Sequence, residues 1–318
     1  MKKIRERVIK GVIFVGIFFI LFGIFSYILQ PKNNDRASGM DQPTAYAILA
    51  EKENTIDTLV IGDSESYSSI SPMQIWEEHG YTTYVCGTPA QRLYQSLDFL
   101  EKALETQKPK IVILEVNSVY RKYSIFSYVG FEVQERFPLF KYHNRWKSLT
   151  EDDFQKPIEY TWKNELKGFD FDRRVKSTKF SDYMRENKKS ETLTGRNRYF
   201  LDEILQLCND NDIKLVLMSA PSIKNWNYEK HAGVEAYARE NKIEYIDMNL
   251  FIDEIGIDWV HDTRDKGDHV NFEGAQKVTH FVGNYLKNTG LLSSHKGDKN
   301  YDMWNDDLDK YKARINKK

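Results

Sequence analysis

The sequence has little cysteine, little proline and almost no net charge. Only two of its 318 residues are cysteines, which excludes a small scaffold held together by disulfides. Eight prolines and 17 glycines are too few for a collagen-like or low-complexity chain. A formal net charge of −1 gives no overall basic surface of the kind that binds nucleic acid. With 41% hydrophobic residues, the chain has the composition of a folded protein that buries its own core.

The two cysteines leave their redox state open. Cys86 ends an apolar strand pattern and Cys208 lies within a helical pattern. They could pair in an oxidising compartment. Two buried free thiols agree with the sequence equally well.

Long hydrophobic runs are absent apart from one near the N-terminus. Residues 11–29 carry no charge and follow a basic segment, which contains Lys2, Lys3, Arg5, Arg7 and Lys10. The run has nearly the roughly 20 residues that span a bilayer, and its lack of a polar face argues against a buried core helix. Residues 27–31 form a poor cleavage site for a signal peptide. We therefore predict an uncleaved signal anchor, with the basic flank in the cytoplasm and the rest of the chain outside.

Strand and helix patterns alternate after a polar linker over residues 30–45. The predicted strands cover residues 58–62, 82–86, 110–116, 213–219 and 244–248. The predicted helices cover residues 72–78, 91–106, 198–209, 229–241 and 274–286. This alternation predicts an α/β sandwich with a mostly parallel five-stranded sheet in a domain over residues 46–290.

Two segments depart from this alternation. Residues 118–190 are rich in aromatic and charged residues without a clear period, which indicates an insertion such as a lid or a second subdomain. Its aromatic residues are consistent with plain packing, with a sugar-stacking surface or with a docking face near the membrane. Residues 291–318 are mostly Lys, Asp and Asn, and we expect a charged tail that is mobile or loosely docked.

Small and polar residues follow the first three predicted strands. Ser64 comes two residues after the end of the first strand, Gly87 directly after the second and Asn117 directly after the third. Ligands of parallel sheets bind at the carboxyl ends of the strands. The N–H groups of Ser64 and Gly87, with the amide of Asn117, would be three donors beside a hydroxyl. This arrangement predicts an oxyanion hole around a serine nucleophile.

A base for this serine is available late in the chain. His269 lies in a polar loop after the fifth predicted strand, at the same edge of the sheet. Its imidazole could take the proton of Ser64, and either Asp265 or Asp268 could hold the correct tautomer. A Ser–His dyad without an acid is a further alternative.

The same loop raises the question of a metal. Its candidate ligands are His261, Asp262, Asp265, Asp268 and His269. Their spacing matches neither a zinc signature nor a calcium loop. We expect no metal and no other cofactor.

These residues as a set resemble the SGNH/GDSL hydrolase superfamily. The resemblance implies a flavodoxin-like three-layer α/β/α fold, a triad that includes Ser64 and His269, and oxyanion donors from Ser64, Gly87 and Asn117. The family has an Asp three residues before its His, where this chain has Lys266. A one-residue bulge would bring Asp265 into that place. Glu65 after the serine is another departure.

Three longer motifs narrow the resemblance. Gly-Asp-Ser-Glu, Leu-Glu-Val-Asn-Ser and Asp-His-Val-Asn-Phe-Glu-Gly-Ala are similar to motifs of membrane-anchored bacterial SGNH-like proteins. Relatives of that branch work beside membrane-bound O-acyltransferases in alginate and peptidoglycan O-acetylation and in teichoic-acid D-alanylation.

This resemblance implies an extracytoplasmic acyltransferase. Ser64 would take an acyl group that a polymer hydroxyl or water then receives. The implied partners are a cell-surface polysaccharide or teichoic-acid-like polymer and a membrane-bound O-acyltransferase. The alternatives are a hydrolytic carbohydrate deacetylase or esterase, and a non-catalytic membrane-anchored scaffold for an O-acyltransferase.

Overall fold

The computed structural model of the chain describes residues 1–179 and 181–317. Phe180, in the predicted insertion, and Lys318, the last residue of the predicted tail, lie outside the described residues. The chain divides into two compact units. The N-terminal unit comprises residues 1–43 and 123–162, and the α/β unit comprises residues 44–122 and 163–318.

Strands and helices alternate through the α/β unit. The strands are β1 (Thr58–Gly62), β2 (Thr83–Gly87), β3 (Ile111–Glu115), β4 (Lys214–Ser219) and β5 (Glu244–Asp247). The α-helices are α1 (Lys2–Leu29), α2 (Pro43–Tyr46), α3 (Ser64–Ser69), α4 (Pro72–His79), α5 (Leu93–Leu104), α6 (Ile125–Arg136), α7 (Pro138–Lys141), α8 (Asp152–Gln155), α9 (Gly195–Asp210), α10 (Tyr228–Asn241), α11 (Ile252–Ile255), α12 (Phe272–Asn288) and α13 (Asp302–Ile315).

The five strands form one parallel sheet in the order β2-β1-β3-β4-β5. Right-handed crossovers in this order place α4 and α12 on one face and α5, α9 and α10 on the other. Both faces of the central strands are covered, which is why β1 and β3 are buried along their whole length. The predicted α/β sandwich with a five-stranded parallel sheet is confirmed, and each strand begins and ends within one residue of its predicted bounds.

Both cysteines are buried in this fold as free thiols. Burial raises the pKa of the Cys208 thiol to about 12, and it also raises that of Cys86. The structure thus agrees with the free-thiol alternative. Neither sulfur is available to reagents in the folded chain.

The N-terminal unit is built around α1. This helix is long and apolar enough to cross a membrane, as a membrane anchor or a signal sequence is. The predicted linker differs from an extended stalk, since Lys32, Asn34 and Met40 are buried in this unit. The side-chain amide of the buried Asn34 donates a hydrogen bond to the carbonyl of Trp162 (2.9 Å). Burial of this polar side chain is thus compensated by a hydrogen bond within the unit.

The predicted insertion is divided between the two units. Residues 123–162 belong to the N-terminal unit, whereas residues 163–190 belong to the α/β unit. In the latter, the carbonyl of Lys167 accepts a hydrogen bond from the N–H of Val85 at the β2 edge (2.9 Å). A Cβ at Gly168 would lie 2.0 Å from the carbonyl oxygen of Val85, so this close approach requires glycine.

The charged tail is not loosely docked over residues 302–315, which form α13. Trp304 and Tyr311 are buried, and the Trp304 ring centroid lies 5.5 Å from that of Trp76. The buried ammonium of Lys167 pairs with Asp307 (2.7 Å) and with Glu51 (2.8 Å). The prediction of a loosely docked tail was wrong because the few buried residues fall on one helical face. The charged residues between them dominate the composition of the segment.

We expect Trp304→Ala to lower the free energy of unfolding of the α/β unit by about 3–5 kcal/mol, because it empties a buried aromatic site. Denaturant titration of the full chain measures this change. Asp309→Ala, on the exposed face of the same helix, is the matched control and should change it by about 0.5 kcal/mol or less. Equal effects of the two substitutions would show that α13 is only loosely docked.

Candidate active site

A loop between residues 263 and 270 brings the catalytic candidates of the late chain to the carboxyl edge of the sheet. Thr263 and Val270 close it with an isolated antiparallel bridge, and the Thr263 hydroxyl donates to the carbonyl of His269 (2.9 Å). At its tip Lys266 and Gly267 take left-handed backbone angles, with φ of +68° and +81°. The chain reverses direction between the two bridged residues.

Ser64, His269 and Asp265 form one hydrogen-bonded chain. His269 Nε2 lies 2.8 Å from Ser64 Oγ, and Nδ1 lies 2.7 Å from Asp265 Oδ2. The backbone N–H of His269 also donates to Asp265 Oδ1 (2.7 Å). Both carboxylate oxygens are thus used to fix the imidazole. This is the arrangement that serine hydrolases use to activate a hydroxyl.

Asp268 does not take part in this chain. Its Oδ1 lies 3.7 Å from His269 Nδ1, beyond hydrogen-bond distance. It accepts instead from the side-chain amide of Asn225 (2.5 Å). Of the two acids that the sequence left open, the structure therefore places Asp265 as the partner of His269.

Ser64 is held in place by the residue before it. Asp63 caps α3 by accepting the N–H of Glu65 at Oδ1 (3.0 Å). Its other oxygen accepts from Arg121 Nε (2.7 Å) and from Asn117 Nδ2 (2.9 Å). Arg121 was not singled out from the sequence, and a buried Asp in need of a cation is the only signal that could have pointed to it.

The two other predicted oxyanion donors lie around this serine turn. A Cβ at Gly87 would lie 2.7 Å from Ser66 Oγ and 2.9 Å from Tyr67 Cδ1, so a larger residue at the end of β2 would displace side chains of α3. The Asn117 side-chain amide donates one of its two N–H groups to Asp63, which leaves the second N–H as a further donor. The role of both residues as oxyanion donors stays a prediction.

Tyr67 is a further residue of the site that the sequence did not reveal. Its hydroxyl lies near the Ser64 side chain, one turn of α3 further along the chain. Burial, together with the nearby Asp170 carboxylate, raises the pKa of Tyr67, so the phenol keeps its proton at neutral pH. Only the first turn of α3 brings the two side chains together.

The electrostatics of the pair suit a general base. Burial alone would raise the pKa of Asp265, but the hydrogen bonds from the His269 ring and backbone outweigh it and lower the pKa. Burial likewise opposes the charged form of His269, but its hydrogen bond to Asp265 and the nearby carboxylate charge outweigh burial and raise its pKa. Activity that needs the neutral imidazole should therefore increase with pH through the neutral range.

Glu65 is a buried carboxyl directly beside this pair. Burial raises its pKa to about 8, so it holds a proton at neutral pH. Its Oε1 accepts from Asn225 (2.7 Å), whereas Oε2 has no hydrogen-bond partner among the described residues. Burial, with Asp63 and Glu65 close by, also raises the pKa of Glu115. Three carboxyls thus share one buried region, and among the described residues the guanidinium of Arg121 pairs with Asp63.

The residues considered as a metal cluster are not gathered at one point. His261 pairs with Asp258 (2.6 Å) and Asp262 with Lys277 (2.6 Å). A different trio could hold a cation, since ligand atoms of Glu65, Asp268 and His269 lie within 4.8 Å of one another. Both ring nitrogens of His269 already have Ser64 and Asp265 as partners, so a metal there would compete with the Ser–His pair.

The similarity of this chain to known proteins is a similarity of fold. No protein-family model matches the chain, and no curated protein does. A GDSL-like lipase from Bacteroides thetaiotaomicron matches at 13% identity over 82% of this chain and 100% of its own, with a TM-score of 0.37. A lipase/acylhydrolase from Enterococcus faecalis matches at 12% identity over 74% of this chain and 97% of its own, with a TM-score of 0.38. GDSL lipases and acylhydrolases belong to the superfamily that the motifs resemble.

Asp265→Asn should lower the rate at which Ser64 reacts with an ester or a fluorophosphonate by about 10³-fold or more, because the amide no longer holds the imidazole in the tautomer that accepts the proton. Asp268→Asn removes the same charge beside His269 and should cost less than about tenfold. Rates of inactivation of the purified full chain compare the two. A larger loss in Asp268→Asn would make Asp268 the orienting acid.

Glu65→Gln should change how stability depends on pH. The folded-state pKa of about 8 lies above the ordinary value of 4.5, so the stabilisation by Glu65 is complete below pH 4.5 and is lost as the pH rises through about 8. Within that window the loss is about 1.4 kcal/mol per pH unit at most. Thermal unfolding between pH 5 and pH 9 should show a smaller fall in Tm for the variant. An unchanged slope would show that Glu65 is ionised in the folded chain.

Proposed function

We propose that this chain is a membrane-anchored serine esterase or acyltransferase of SGNH type that acts outside the cytoplasm. Its substrates would be O-acyl groups of a cell-surface glycan or of a teichoic-acid-like polymer. The observation that carries the proposal is the hydrogen-bonded chain from Ser64 through His269 to Asp265, with distances of 2.8 and 2.7 Å. Such a chain activates a hydroxyl for attack on an acyl carbonyl.

In the first half-reaction, Ser64 Oγ attacks the carbonyl carbon of the acyl donor while His269 Nε2 takes its proton. Asp265 stabilises the imidazolium that forms. The N–H groups of Ser64 and Gly87 and the remaining amide hydrogen of Asn117 would stabilise the oxyanion. His269 then returns the proton to the departing alkoxide, which leaves as an alcohol and yields an acyl-Ser64 ester.

In the second half-reaction, an acceptor hydroxyl attacks the acyl-Ser64 ester. His269 removes the hydroxyl proton and then returns it to Ser64 Oγ as the ester bond breaks. A polymer hydroxyl gives transfer of the acyl group, and water gives hydrolysis. The same residues serve both outcomes, so the acceptor decides between acyltransferase and esterase.

The location rests on the N-terminal segment. The basic residues precede α1, whereas Ser64 and His269 follow it. Positive residues stay on the cytoplasmic side of a spanning helix. This order therefore favours a site on the side of the membrane opposite the cytoplasm. The polymer substrate and a membrane-bound O-acyltransferase as partner follow from the motif resemblance.

Labelling of the full chain in detergent with a fluorophosphonate probe tests the nucleophile. We expect labelling of the wild type and none of Ser64→Ala, because the probe reacts only with an activated serine. His269→Ala should reduce the labelling rate by about 10³-fold. Equal thermal unfolding of the variants controls for folding. An unlabelled but folded wild type would contradict the catalytic proposal and favour the scaffold alternative.

A second measurement distinguishes transfer from hydrolysis. Unmodified full chain from the preparation that the fluorophosphonate probe labels is given an aryl acetate, with or without an oligosaccharide acceptor. The products are analysed by mass spectrometry. O-acetylated oligosaccharide that requires Ser64 shows transfer. Acetate release at the same rate with and without the acceptor, and no acetylated sugar, shows hydrolysis alone.

A further inference from the structure

The N-terminal unit exposes an apolar stripe along α6 and α7. On α6 the stripe consists of Ile125, Phe126, Val129 and Val133, which fall within an arc of about 100° at 3.6 residues per turn. Phe137 and Phe140 continue it, and all six side chains are exposed, with Phe126 at 83%. A contiguous exposed patch of this kind marks an interaction surface.

The stripe is continuous with the helix that is apolar enough to cross a membrane. The ring of Phe22 in α1 lies 5.4 Å from that of Phe137 and 5.8 Å from that of Phe140. Phe22 comes seven residues before Leu29, so it lies about 10 Å below the C-terminal end of α1 along the helix axis. The packing therefore places α7 beside the uncharged part of α1.

Charged side chains gather at the C-terminal end of α1. Arg145 donates to the carbonyl of Leu29 (2.6 Å) and pairs with Asp153 (2.5 Å). Lys32 donates to the carbonyl of Tyr27 (2.5 Å), and its ammonium lies 3.6 Å from the centre of the Tyr27 ring. These groups mark a polar boundary at the end of the apolar helix, and Phe22 lies on the apolar side of that boundary.

We propose that α6 and α7 lie in the outer leaflet of the membrane beside α1, with their apolar stripe against lipid acyl chains. This proposal rests on the membrane crossing of α1 in the proposed function. Lipid is the occupant because the stripe continues the exposed apolar surface of α1. Trp146 nearby is 65% exposed, as expected of an aromatic residue at a membrane interface.

The charges of this segment indicate which lipids are needed. Residues 123–162 contain five Lys or Arg residues against six Asp or Glu residues. This balance provides no net attraction to anionic headgroups. Insertion should therefore occur with zwitterionic phosphatidylcholine and should depend little on salt.

Introduced cysteines in the full chain test the proposal. Cys86 and Cys208 are buried, so a thiol-reactive fluorophore would report mainly a new site. Phe126→Cys and Val129→Cys place the label on the stripe, and Gln134→Cys places it at an exposed position of α6 more than 100° from the centre of the stripe. Phe18→Cys, in α1, is the control for the anchor.

The labelled chains are reconstituted into phosphatidylcholine vesicles with and without lipids that carry a spin label in the acyl chain. We expect at least twofold stronger quenching at residues 126 and 129 than at 134, together with strong quenching at 18. Quenching at 18 without a difference between 126 and 134 would overturn the placement of α6 and leave the anchor intact. Absence of quenching at 18 would overturn the membrane crossing itself. Crosslinking between copies through residue 126, without quenching there, would assign the stripe to self-association and overturn the lipid proposal.

Discussion

The carboxylate of Asp63 has no exposure to solvent, and much of the site depends on how its charge is compensated. A buried charge without a partner would cost several kcal/mol. Arg121 and Asn117 supply that compensation from the turn after β3, and the other oxygen of Asp63 caps α3. The ends of two neighbouring strands are thereby joined at Ser64. Ser64 is positioned by an ion pair that does not itself touch its hydroxyl.

The remaining acids of the region differ in protonation because their surroundings differ. Asp265 is held ionised by two hydrogen bonds from His269, whereas Glu65 is kept neutral by burial. Nearby carboxyls with separated pKa values are a common way to divide roles within one site. A charged Glu65 would also stabilise the imidazolium, so its neutral form favours a His269 that can accept the Ser64 proton. The loop tip at Lys266 and Gly267 completes the site by turning Asp265 toward the imidazole.

Much of the candidate site could be predicted because its members follow strands of one parallel sheet. The ends of such strands meet at one edge, so Ser64, Gly87, Asn117 and His269 were expected near one another. Tyr67, Asn225 and Arg121 were not expected, since each enters the site through a side-chain contact that periodicity does not encode. The docked helix α13 was missed for a related reason. Its buried residues occupy one face of a segment whose composition is that of a solvated tail.

The sequence by itself determined the parallel sheet, the order of the motifs along its edge and the single apolar run at the N-terminus. These are local properties, since strand and helix periods and the length of an uncharged run are set by near neighbours in the chain. Tertiary structure decided that Asp265 rather than Asp268 contacts His269, that Glu65 is neutral and that α13 is buried. The last two depend on hydrogen bonds and burial that join residues far apart in the chain, such as Glu65 with Asn225 and Lys167 with Asp307. The first depends on the distant Asn225, which holds Asp268 away from the imidazole. A linear pattern cannot specify such pairings, because they exist only once the packed side chains have excluded water.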